Sequence, residues 1–443
     1  MKPALIPPVL GFALLGLLAA AGWFHTVVAP DTASYLAVAK AIDPLGASRL
    51  PLYGWVAGWM LAHAAPLLAW LQATIFLGGA ALLVASLERV GASRAAASAI
   101  GIAIGASTML LLWVRDAVPE AAGHGFLFAG FAAALLAAEG SLLWVLPAAL
   151  AVTLAWSLVP GLLGFAVLLA ALPLLLPTRW YVRRWARALL LLAALAAPAA
   201  GLVAWRTVRE GSPSIVSYGG FVMSGIGGLM LTPSVAAKLP ADEQPQAEAI
   251  LAARTRLEQQ GLSIPVPANS RGARSFFSAA LFYFDIMART YDSVVFHAVR
   301  PTRPPGESWP HFDQRLQRLT IEIVRAAPAD YLAWVAGAAA RLVGHALILN
   351  PVFILAFLTL LAMLLWRRGG MPAAPPEAAR DTPILLAVSF LYVLGTGAPI
   401  VLITFPAERY IDSTALLLAA WPILGVLRLL NAKADRAPGT GSS

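Results

Sequence analysis

The chain has 443 residues, of which 60% are hydrophobic and only 12% are charged, and its mean hydropathy is +0.77. Soluble domains carry about 25% charged residues, so this composition excludes an ordinary soluble protein and indicates an integral membrane protein. The lack of cysteine excludes disulfides and thiolate chemistry, and the net charge of +9 is better explained by its placement around membrane spans than by a nucleic-acid partner.

The apolar runs predict an all-α polytopic membrane protein with about ten transmembrane helices, because a helix needs about 20 apolar residues to cross a bilayer. We predict spans at 5–28, 52–86, 95–113, 118–138, 142–158, 160–176, 188–205, 344–366, 383–403 and 411–430. The second run is long enough to be tilted or broken near Pro66, and Pro160 indicates either a tight turn or a kink. The first run is longer than a signal-peptide core of about 7–15 residues, which favours an uncleaved span.

The basic residues predict the orientation of these spans. If the N-terminus lies inside, the inner segments hold 13 Lys and Arg residues and the short outer loops hold four, as the positive-inside rule requires. We therefore expect both termini in the cytoplasm. The Ala-, Leu- and Arg-rich composition is typical of a bacterium with a GC-rich genome, so the expected location is the bacterial inner membrane.

Residues 206–330 interrupt the membrane pattern, since they hold 24 of the chain's 53 charged residues. This stretch is too long for an ordinary loop and is predicted to be an extracytoplasmic domain. It divides the chain into an N-terminal transmembrane module at 1–205, with the candidate catalytic residues in its outer loops, and a C-terminal transmembrane module at 331–430. Residues 431–443 are predicted to be a disordered tail.

Within this inserted stretch the sequence predicts several pieces. The glycine-rich segment 217–228 is expected to be a loop, and 241–260 an exposed helix. The aromatic segment 275–285 is typical of a membrane interface. The segment 311–326 reads as a basic amphipathic helix, and 329–347 as a helix that is either interfacial or part of a bilayer crossing.

The first polar segment lies directly after the first span. Asp31 follows Pro30 there, and two interpretations are open: a general base that removes a proton from an acceptor hydroxyl, or an N-cap of the helix that starts at Thr32. Arg49 precedes the next apolar run, and Tyr53 lies at the beginning of that run. A guanidinium at that position could bind a lipid phosphate, or the pair could be interfacial anchors.

Two further polar segments are predicted on the same side. Asp116 and Glu120 lie between the third and fourth spans, where they form either a solvated turn or, with Asp31, a set of carboxylates suited to acid/base work. Arg409 and Tyr410 lie between the last two spans. They could hold a donor phosphate or form an interface turn.

The sequence predicts no cofactor, and it leaves a divalent cation open without a motif that supports one. The six histidines are scattered, and none has the spacing of a metal-binding helix. The spaced glycines at 219–228 do not open a helix after a strand, so they are not a dinucleotide fingerprint, and no Walker lysine motif is present. Direct use of ATP is therefore not expected.

Together, the outer-facing motifs resemble those of the GT-C superfamily of polyprenyl-phosphate-sugar-dependent glycosyltransferases, and in particular the bacterial protein mannosyltransferase and aminoarabinose transferase group. The resemblance rests on four features in order: Pro-Asp-x-x-x-Tyr at Asp31, Arg-x-Pro-x-Tyr from Arg49 to Tyr53, an acid at Asp116 or Glu120, and Arg409-Tyr410 before the last span. It covers the N-terminal third and the C-terminal hairpin but not 206–330. Many relatives have Asp-Glu in the first loop where this chain has Asp31-Thr32.

The resemblance implies an inverting glycosyltransferase that moves a sugar from a polyprenyl-phosphate donor to an extracytoplasmic lipid, glycan or protein. It implies that Asp31 is the catalytic base, with Asp116 and Glu120 as further catalytic carboxylates. Donor phosphate binding would fall to four residues. They are Arg49, Tyr53, Arg409 and Tyr410.

Three other functions remain open from the sequence. A transporter or flippase for a lipid-linked precursor would place polar residues in the middle of its spans, where this chain has few. A polymerase or ligase for lipid-linked glycans would also have a large outer loop. A structural partner in an envelope complex would depend on the 206–330 surface.

Overall fold

The computed structural model describes residues 1–41, 50–176, 183–211, 213–261, 298–366, 378–403 and 408–434. These parts of the chain are helical, and the only β-type pairing in them is an isolated bridge between Val27 and Asp116. The all-α prediction is therefore confirmed.

Nineteen α-helices occur in the described ranges, joined by short 3₁₀ and π segments. In chain order they are α1 Ile6–Ala20, α2 Thr32–Ala39, α3 Leu52–His63, α4 Ala65–Arg89, α5 Arg94–Gly105, α6 Glu120–Glu139, α7 Val145–Leu158, α8 Phe165–Leu168, α9 Leu172–Leu175, α10 Arg184–Glu210, α11 Gly219–Met230, α12 Pro233–Ala236, α13 Gln244–Gln259, α14 Trp309–Ala326, α15 Pro328–Gly344, α16 Pro351–Trp366, α17 Ala378–Leu402, α18 Glu408–Ala415 and α19 Ala420–Ala434. The 3₁₀ segments are Pro3–Leu5, Leu142–Trp144, Pro160–Gly164, Leu169–Ala171 and Arg300–Thr302, and the π-helical turns are Met109–Trp113 and His345–Leu349.

Eight helical stretches of the described chain are long and apolar enough to cross a membrane, as expected for an integral membrane protein. They are Pro3–Ala20, Ala65–Arg89, Arg94–Trp113, Glu120–Glu139, Arg184–Glu210, Pro328–Ile348, Ala379–Leu402 and Arg409–Ala432. Shorter apolar stretches accompany them at Leu142–Leu158, Pro160–Leu175, Gly219–Met230 and Pro351–Trp366.

The predicted spans differ from the observed helices at three breaks. The first helix ends at Ala20 and not near residue 28, because the chain turns at Gly22 with a φ of 76°. The second run is broken at Ala64, as predicted near Pro66, which lies in the first turn of α4 where proline is tolerated. The predicted span 344–366 is interrupted at Asn350, immediately before a proline that begins α16.

The main core of the bundle depends on close helix contact between α4 and α6. A Cβ atom added at Gly79 would collide with the backbone of Gly125, so the two helices approach through glycine as membrane helices commonly do. The aromatic rings of Phe128, Phe165 and Tyr392 fill the neighbouring space. The ring centroid of Tyr392 lies 5.7 Å from that of Phe128 and 6.1 Å from that of Phe165. This core holds α17 against the N-terminal helices.

A second core joins the inserted stretch to the C-terminal helices. Phe312 of α14, Ile250 of α13 and Trp334 of α15 are buried in it together with Ile411 of α18. The amphipathic helix predicted at 311–326 is confirmed as α14. The helix predicted at 241–260 is also present, but it buries one face and is not simply exposed. The domain boundaries stay predictions.

The prediction that the glycine-rich segment 217–228 is a loop is wrong, because most of this segment forms α11. A Cβ at Gly220 would collide with the carbonyl oxygen of Asp313, so glycine permits the close approach of α11 to α14. Asp313 Oδ1 in turn accepts a hydrogen bond of 2.9 Å from the backbone N–H of Phe221. The glycines therefore serve helix packing. The aromatic segment 275–285 lies outside the described residues.

Candidate active site

The first and second polar segments are bonded to each other along the backbone. The N–H of Val27 donates to the carbonyl of Arg115 at 3.0 Å, and the N–H of Ala117 donates to the carbonyl of Val27 at 2.8 Å. Thr32 adds a buried link, since its hydroxyl donates to the carbonyl of Ala117 at 2.8 Å and accepts from the N–H of Ala29 at 3.0 Å. Asp31 is thereby fixed beside the loop that carries Asp116.

Arg409 brings the third polar segment to the same place. Its Nη2 lies 2.5 Å from Oδ2 of Asp31, and its Nε lies 3.4 Å from Oε1 of Glu120. The side chains differ in exposure: 37% for Asp31, 20% for Arg409 and 7% for Glu120. One guanidinium is therefore held between a buried carboxylate and a carboxylate that solvent or substrate can reach.

The N-cap interpretation of Asp31 is wrong. Asp31 occupies the N-cap position of α2, but its carboxylate makes no capping hydrogen bond. The backbone carbonyl of Asp31 instead accepts from the N–H and the hydroxyl of Ser34, at 3.0 and 2.7 Å. The carboxylate of Asp31 instead contacts Arg409.

Tyr410 completes the surroundings of the guanidinium. Its hydroxyl accepts a hydrogen bond of 2.9 Å from Nη2 of Arg409. Its ring centroid lies 4.9 Å from the guanidinium carbon, within the range of a cation–π contact. Arg409 is thus oriented by two carboxylates and its own neighbour in α18.

Asp116 lies at the edge of this cluster. Its backbone carbonyl accepts from Nε2 of Gln72 at 2.8 Å. Burial raises the pKa of its carboxyl above the ordinary value, although the positive charges of Arg115 and Arg409 pull the pKa down. The structure therefore brings Asp31, Glu120 and Arg409 into direct contact and leaves Asp116 beside them.

Tyr53 lies beneath the second loop. It is 3% exposed, and its hydroxyl donates to Oε1 of Gln72 at 3.1 Å. Gln72 also donates to the carbonyls of Val114 and Asp116 at 2.9 and 2.8 Å. In the structure Tyr53 thus braces the loop through Gln72. Arg49, which was predicted beside it, lies outside the described residues.

An apolar cavity of about 330 Å³ adjoins the charged cluster. Glu120 and Tyr410 form part of its wall. Most of the remaining wall is aliphatic and comes from the α7–3₁₀ junction, α17 and the beginning of α11. These residues include Leu158, Val159, Leu162, Val222, Pro399 and Ile400. An apolar cavity with Glu120 in its wall, and with Arg409 paired to that carboxylate, suits a ligand with a polar head and a hydrocarbon chain.

Sequence reasoning missed a buried carboxylate close to this site. Oδ2 of Asp412 accepts a hydrogen bond of 2.6 Å from the indole N–H of Trp113, and Oδ1 lies 3.2 Å from Nε2 of His345. The signal was an aspartate inside a predicted span, since ionisable residues there are rarely retained without a role. The buried His124 is also bonded, with its Nδ1 2.9 Å from the hydroxyl of Tyr392.

Among the described residues, no three His, Asp or Glu side chains are grouped as a metal site would require. Both carboxylates of the charged cluster, Asp31 and Glu120, are engaged with Arg409.

Comparisons with known proteins give two structural matches. No family model matches the chain, and no curated protein matches it. The chain is similar to two crystal structures of ArnT, a GT-C aminoarabinose transferase, from Cupriavidus metallidurans: one in the apo state and one bound to undecaprenyl phosphate. Sequence identities are 14% and 15%, and each match covers 96% of this chain and 78% of the other with a TM-score of 0.32. Similarity at this level carries no argument about substrate or mechanism.

Proposed function

We propose that the protein is a membrane glycosyltransferase that moves a sugar from a polyprenyl-phosphate donor to an extracytoplasmic acceptor. The observation that carries the proposal is the meeting of Asp31, Glu120 and Arg409, where Glu120 also lines an apolar cavity. A cation there suits the donor phosphate, the cavity suits the adjoining hydrocarbon, and an accessible carboxylate suits an acceptor hydroxyl.

Asp31 is the proposed catalytic base. Its Oδ2 is bonded to Arg409, and it is the most exposed member of the cluster. It would take the proton of the acceptor hydroxyl while that oxygen forms a bond to the anomeric carbon. The bond from the anomeric carbon to the phosphate oxygen breaks in the same displacement, which inverts the configuration and releases the polyprenyl phosphate.

Arg409 is the proposed group that stabilises the leaving phosphate. Negative charge grows on the phosphate oxygen as the glycosidic bond breaks, and oriented cations contribute most where charge develops. In the contacts among described residues Arg409 uses Nε and Nη2, while the guanidinium has further N–H groups to offer. Glu120 and Tyr410 would keep this fork in the orientation that phosphate recognition requires.

Asp116, Tyr53 and Arg49 have supporting roles in the proposal. Asp116 contributes a carboxyl beside the cluster, and the positive charges of Arg115 and Arg409 favour its charged form against the effect of burial, which raises its pKa. Tyr53 holds the loop of Asp116 through Gln72. Arg49 keeps its predicted role as a second phosphate ligand, on the sequence motif alone.

The proposed orientation has the site on the periplasmic side of a bacterial inner membrane, with both termini in the cytoplasm. The opposite end of the bundle contains a basic cluster in which Arg428 is 2.9 Å from Asp381 and Arg380 donates to the carbonyl of Val90 at 3.1 Å. Basic residues at that end support a cytoplasmic location.

The experiment that tests this function uses the purified chain in liposomes with a panel of radiolabelled polyprenyl-phosphate sugars. Envelope lipids, glycans and proteins are supplied as separate acceptor fractions. We expect label to appear in one fraction with release of an equal amount of polyprenyl phosphate, and Arg409→Gln to lower the rate by about 10²–10³-fold. Absence of transfer from every donor to every fraction would contradict the proposal.

A further inference from the structure

Helix α18 carries Arg409 and Tyr410, yet it spans only Glu408–Ala415. Two helical turns have little stability of their own, because helix formation needs tertiary contacts at this length. The orientation of the Arg409 guanidinium therefore depends on what fixes α18 to the rest of the bundle.

Asp412 supplies polar bonds from α18 to two separate parts of the chain. Its two carboxylate oxygens are bonded to different partners: Oδ2 to the indole N–H of Trp113 at 2.6 Å, and Oδ1 to Nε2 of His345 at 3.2 Å. The Asp412 side chain is 7% exposed. Where solvent is largely excluded, each hydrogen bond stabilises a carboxylate more strongly than in water, and the loss of one bond costs correspondingly more free energy.

Both partners of Asp412 belong to π-helical turns. Trp113 is the last residue of Met109–Trp113, and His345 is the first residue of His345–Leu349. π turns are rare, carry a cost in stability and are frequently found at functional sites. The first of these turns leads directly into the loop of Asp116, so the bond from Trp113 joins α18 to that loop.

From this arrangement we propose that Asp412 is a positioning residue that sets the rotation and height of α18, so that Arg409 faces Asp31 and Glu120. The inference rests on the proposed function. Asp412 is not among the residues that line the cavity, whereas Tyr410 of the same helix is. Its effect passes through the helix to Arg409, three residues earlier.

The chain offers a matched control for a buried carboxylate that cross-links helices. Asp381 is 1% exposed and accepts from the N–H and hydroxyl of Ser93, at 2.7 and 2.6 Å, and from Arg428 at 2.9 Å. It lies in the first turn of α17, and the other end of α17 is the one nearer the site. At 1.5 Å per residue, the two ends of this helix are about 35 Å apart, so Asp381 lies far from the site.

The first test compares kcat and donor KM for Asp412→Ala, Asp412→Asn and Asp381→Ala in the liposome transfer assay, per folded molecule. Asp412→Ala is expected to lower kcat about 10–100-fold, because displacements of about 1 Å at a catalytic group have effects of this size. Asp412→Asn keeps an acceptor for Trp113 and a donor for a neutral His345, so it should stay within about threefold of wild type. Asp381→Ala should leave kcat unchanged even if it lowers thermal stability.

The second test asks whether the two bonds act as one unit. Trp113→Phe removes the indole N–H, and we expect an intermediate loss of kcat. The double variant Trp113→Phe, Asp412→Ala should be no worse than Asp412→Ala alone, because coupled residues are not additive. Full additivity of the two losses would overturn the positioning role.

A readout that does not need activity is hydrogen–deuterium exchange of peptides covering 408–415. Asp412→Ala should increase exchange there, while Asp412→Asn and Asp381→Ala should not. Unchanged exchange at 408–415, or wild-type kcat in Asp412→Ala, would overturn the inference. If the wild type transfers no sugar, the proposed function fails, and the effect of Asp412 on catalysis fails with it. The hydrogen–deuterium exchange at 408–415 still reports whether Asp412 holds α18 in place.

Discussion

Arg409 and Asp31 are 378 residues apart in the chain, and their side chains are 2.5 Å apart in the structure. This ion pair joins the first polar segment of the protein to the last. It also joins two residues that the sequence motifs assign to different tasks, a base and a phosphate ligand. In the resting site each residue is therefore the counter-ion of the other, and an arriving donor phosphate would compete with Asp31 for Arg409.

Replacing Arg409 by Lys should show that geometry matters here as well as charge. A lysine ammonium keeps the positive charge but lacks the planar fork that contacts Asp31 and Glu120 together. We expect transfer to fall about 10–100-fold. The matched control is Arg325→Lys, because Arg325 is exposed, pairs with Glu322 on the same helix face, and should contribute little. Equal activity of Arg409→Lys and wild type would contradict the proposed bidentate role.

Glu120→Gln should lower the rate of sugar transfer less than Arg409→Gln does. The variant keeps an oxygen 3.4 Å from Nε of Arg409 but removes the buried negative charge that faces the guanidinium. We expect roughly a tenfold fall in kcat, with the donor KM little changed. A loss as complete as that of Asp31→Asn would instead indicate that Glu120 is itself the base.

Thr32→Val should weaken the contact between the polar segment of Asp31 and the loop of Asp116. The Thr32 hydroxyl is buried and bonded to both Ala117 and Ala29, so its removal leaves two backbone groups without this partner. Such a loss costs about 1–3 kcal/mol, measurable as a lower thermal transition of the purified protein. Thr359→Val is the control, because Thr359 is exposed and bonds only within its own helix. Equal stability of the two variants would contradict the link.

Two neighbouring glycines test the packing of α11. A methyl at Gly220 would collide with the carbonyl oxygen of Asp313, whereas the nearest atom to a methyl at Gly219 is Nε2 of Gln317, at an ordinary 3.6 Å. Gly220→Ala should therefore lower the thermal transition by several degrees. Gly219→Ala should leave the transition unchanged or raise it slightly, since alanine favours helix by about 1 kcal/mol. The reverse order would contradict the contact between α11 and α14.

Because the chain has no cysteine, single cysteines can report orientation. Ala33 lies beside Asp31, and Ser141 lies in the connection between α6 and α7 at the other end of the bundle; both are exposed. An impermeant maleimide should label Ala33→Cys from outside intact spheroplasts and label Ser141→Cys only after permeabilisation. The opposite pattern would invert the proposed topology.

The sequence predicted the helical class and the polar segments that meet in the site, since these follow from hydropathy and from charges beside spans. It left the second run either tilted or broken near Pro66, and the structure has the break. It did not predict the direct bond between Arg409 and Asp31, because their pairing depends on long-range packing. The glycine-rich segment was misjudged because glycine indicates a loop unless a partner helix approaches closely, as α14 does at Gly220. Asp412 was missed because its partners, Trp113 and His345, lie on distant helices.

The central claim is tested most directly by sugar transfer from radiolabelled polyprenyl phosphates with wild type and Asp31→Asn at matched protein levels. Asparagine keeps the size of the side chain and an oxygen for Arg409, but it cannot accept the acceptor's proton as a carboxylate does. Ser34→Ala, which alters only the hydroxyl bonded to the Asp31 carbonyl, serves as the neighbouring control. The account predicts transfer by wild type and Ser34→Ala and a loss of about 10²–10⁴-fold in Asp31→Asn. Equal transfer by Asp31→Asn and wild type would contradict it.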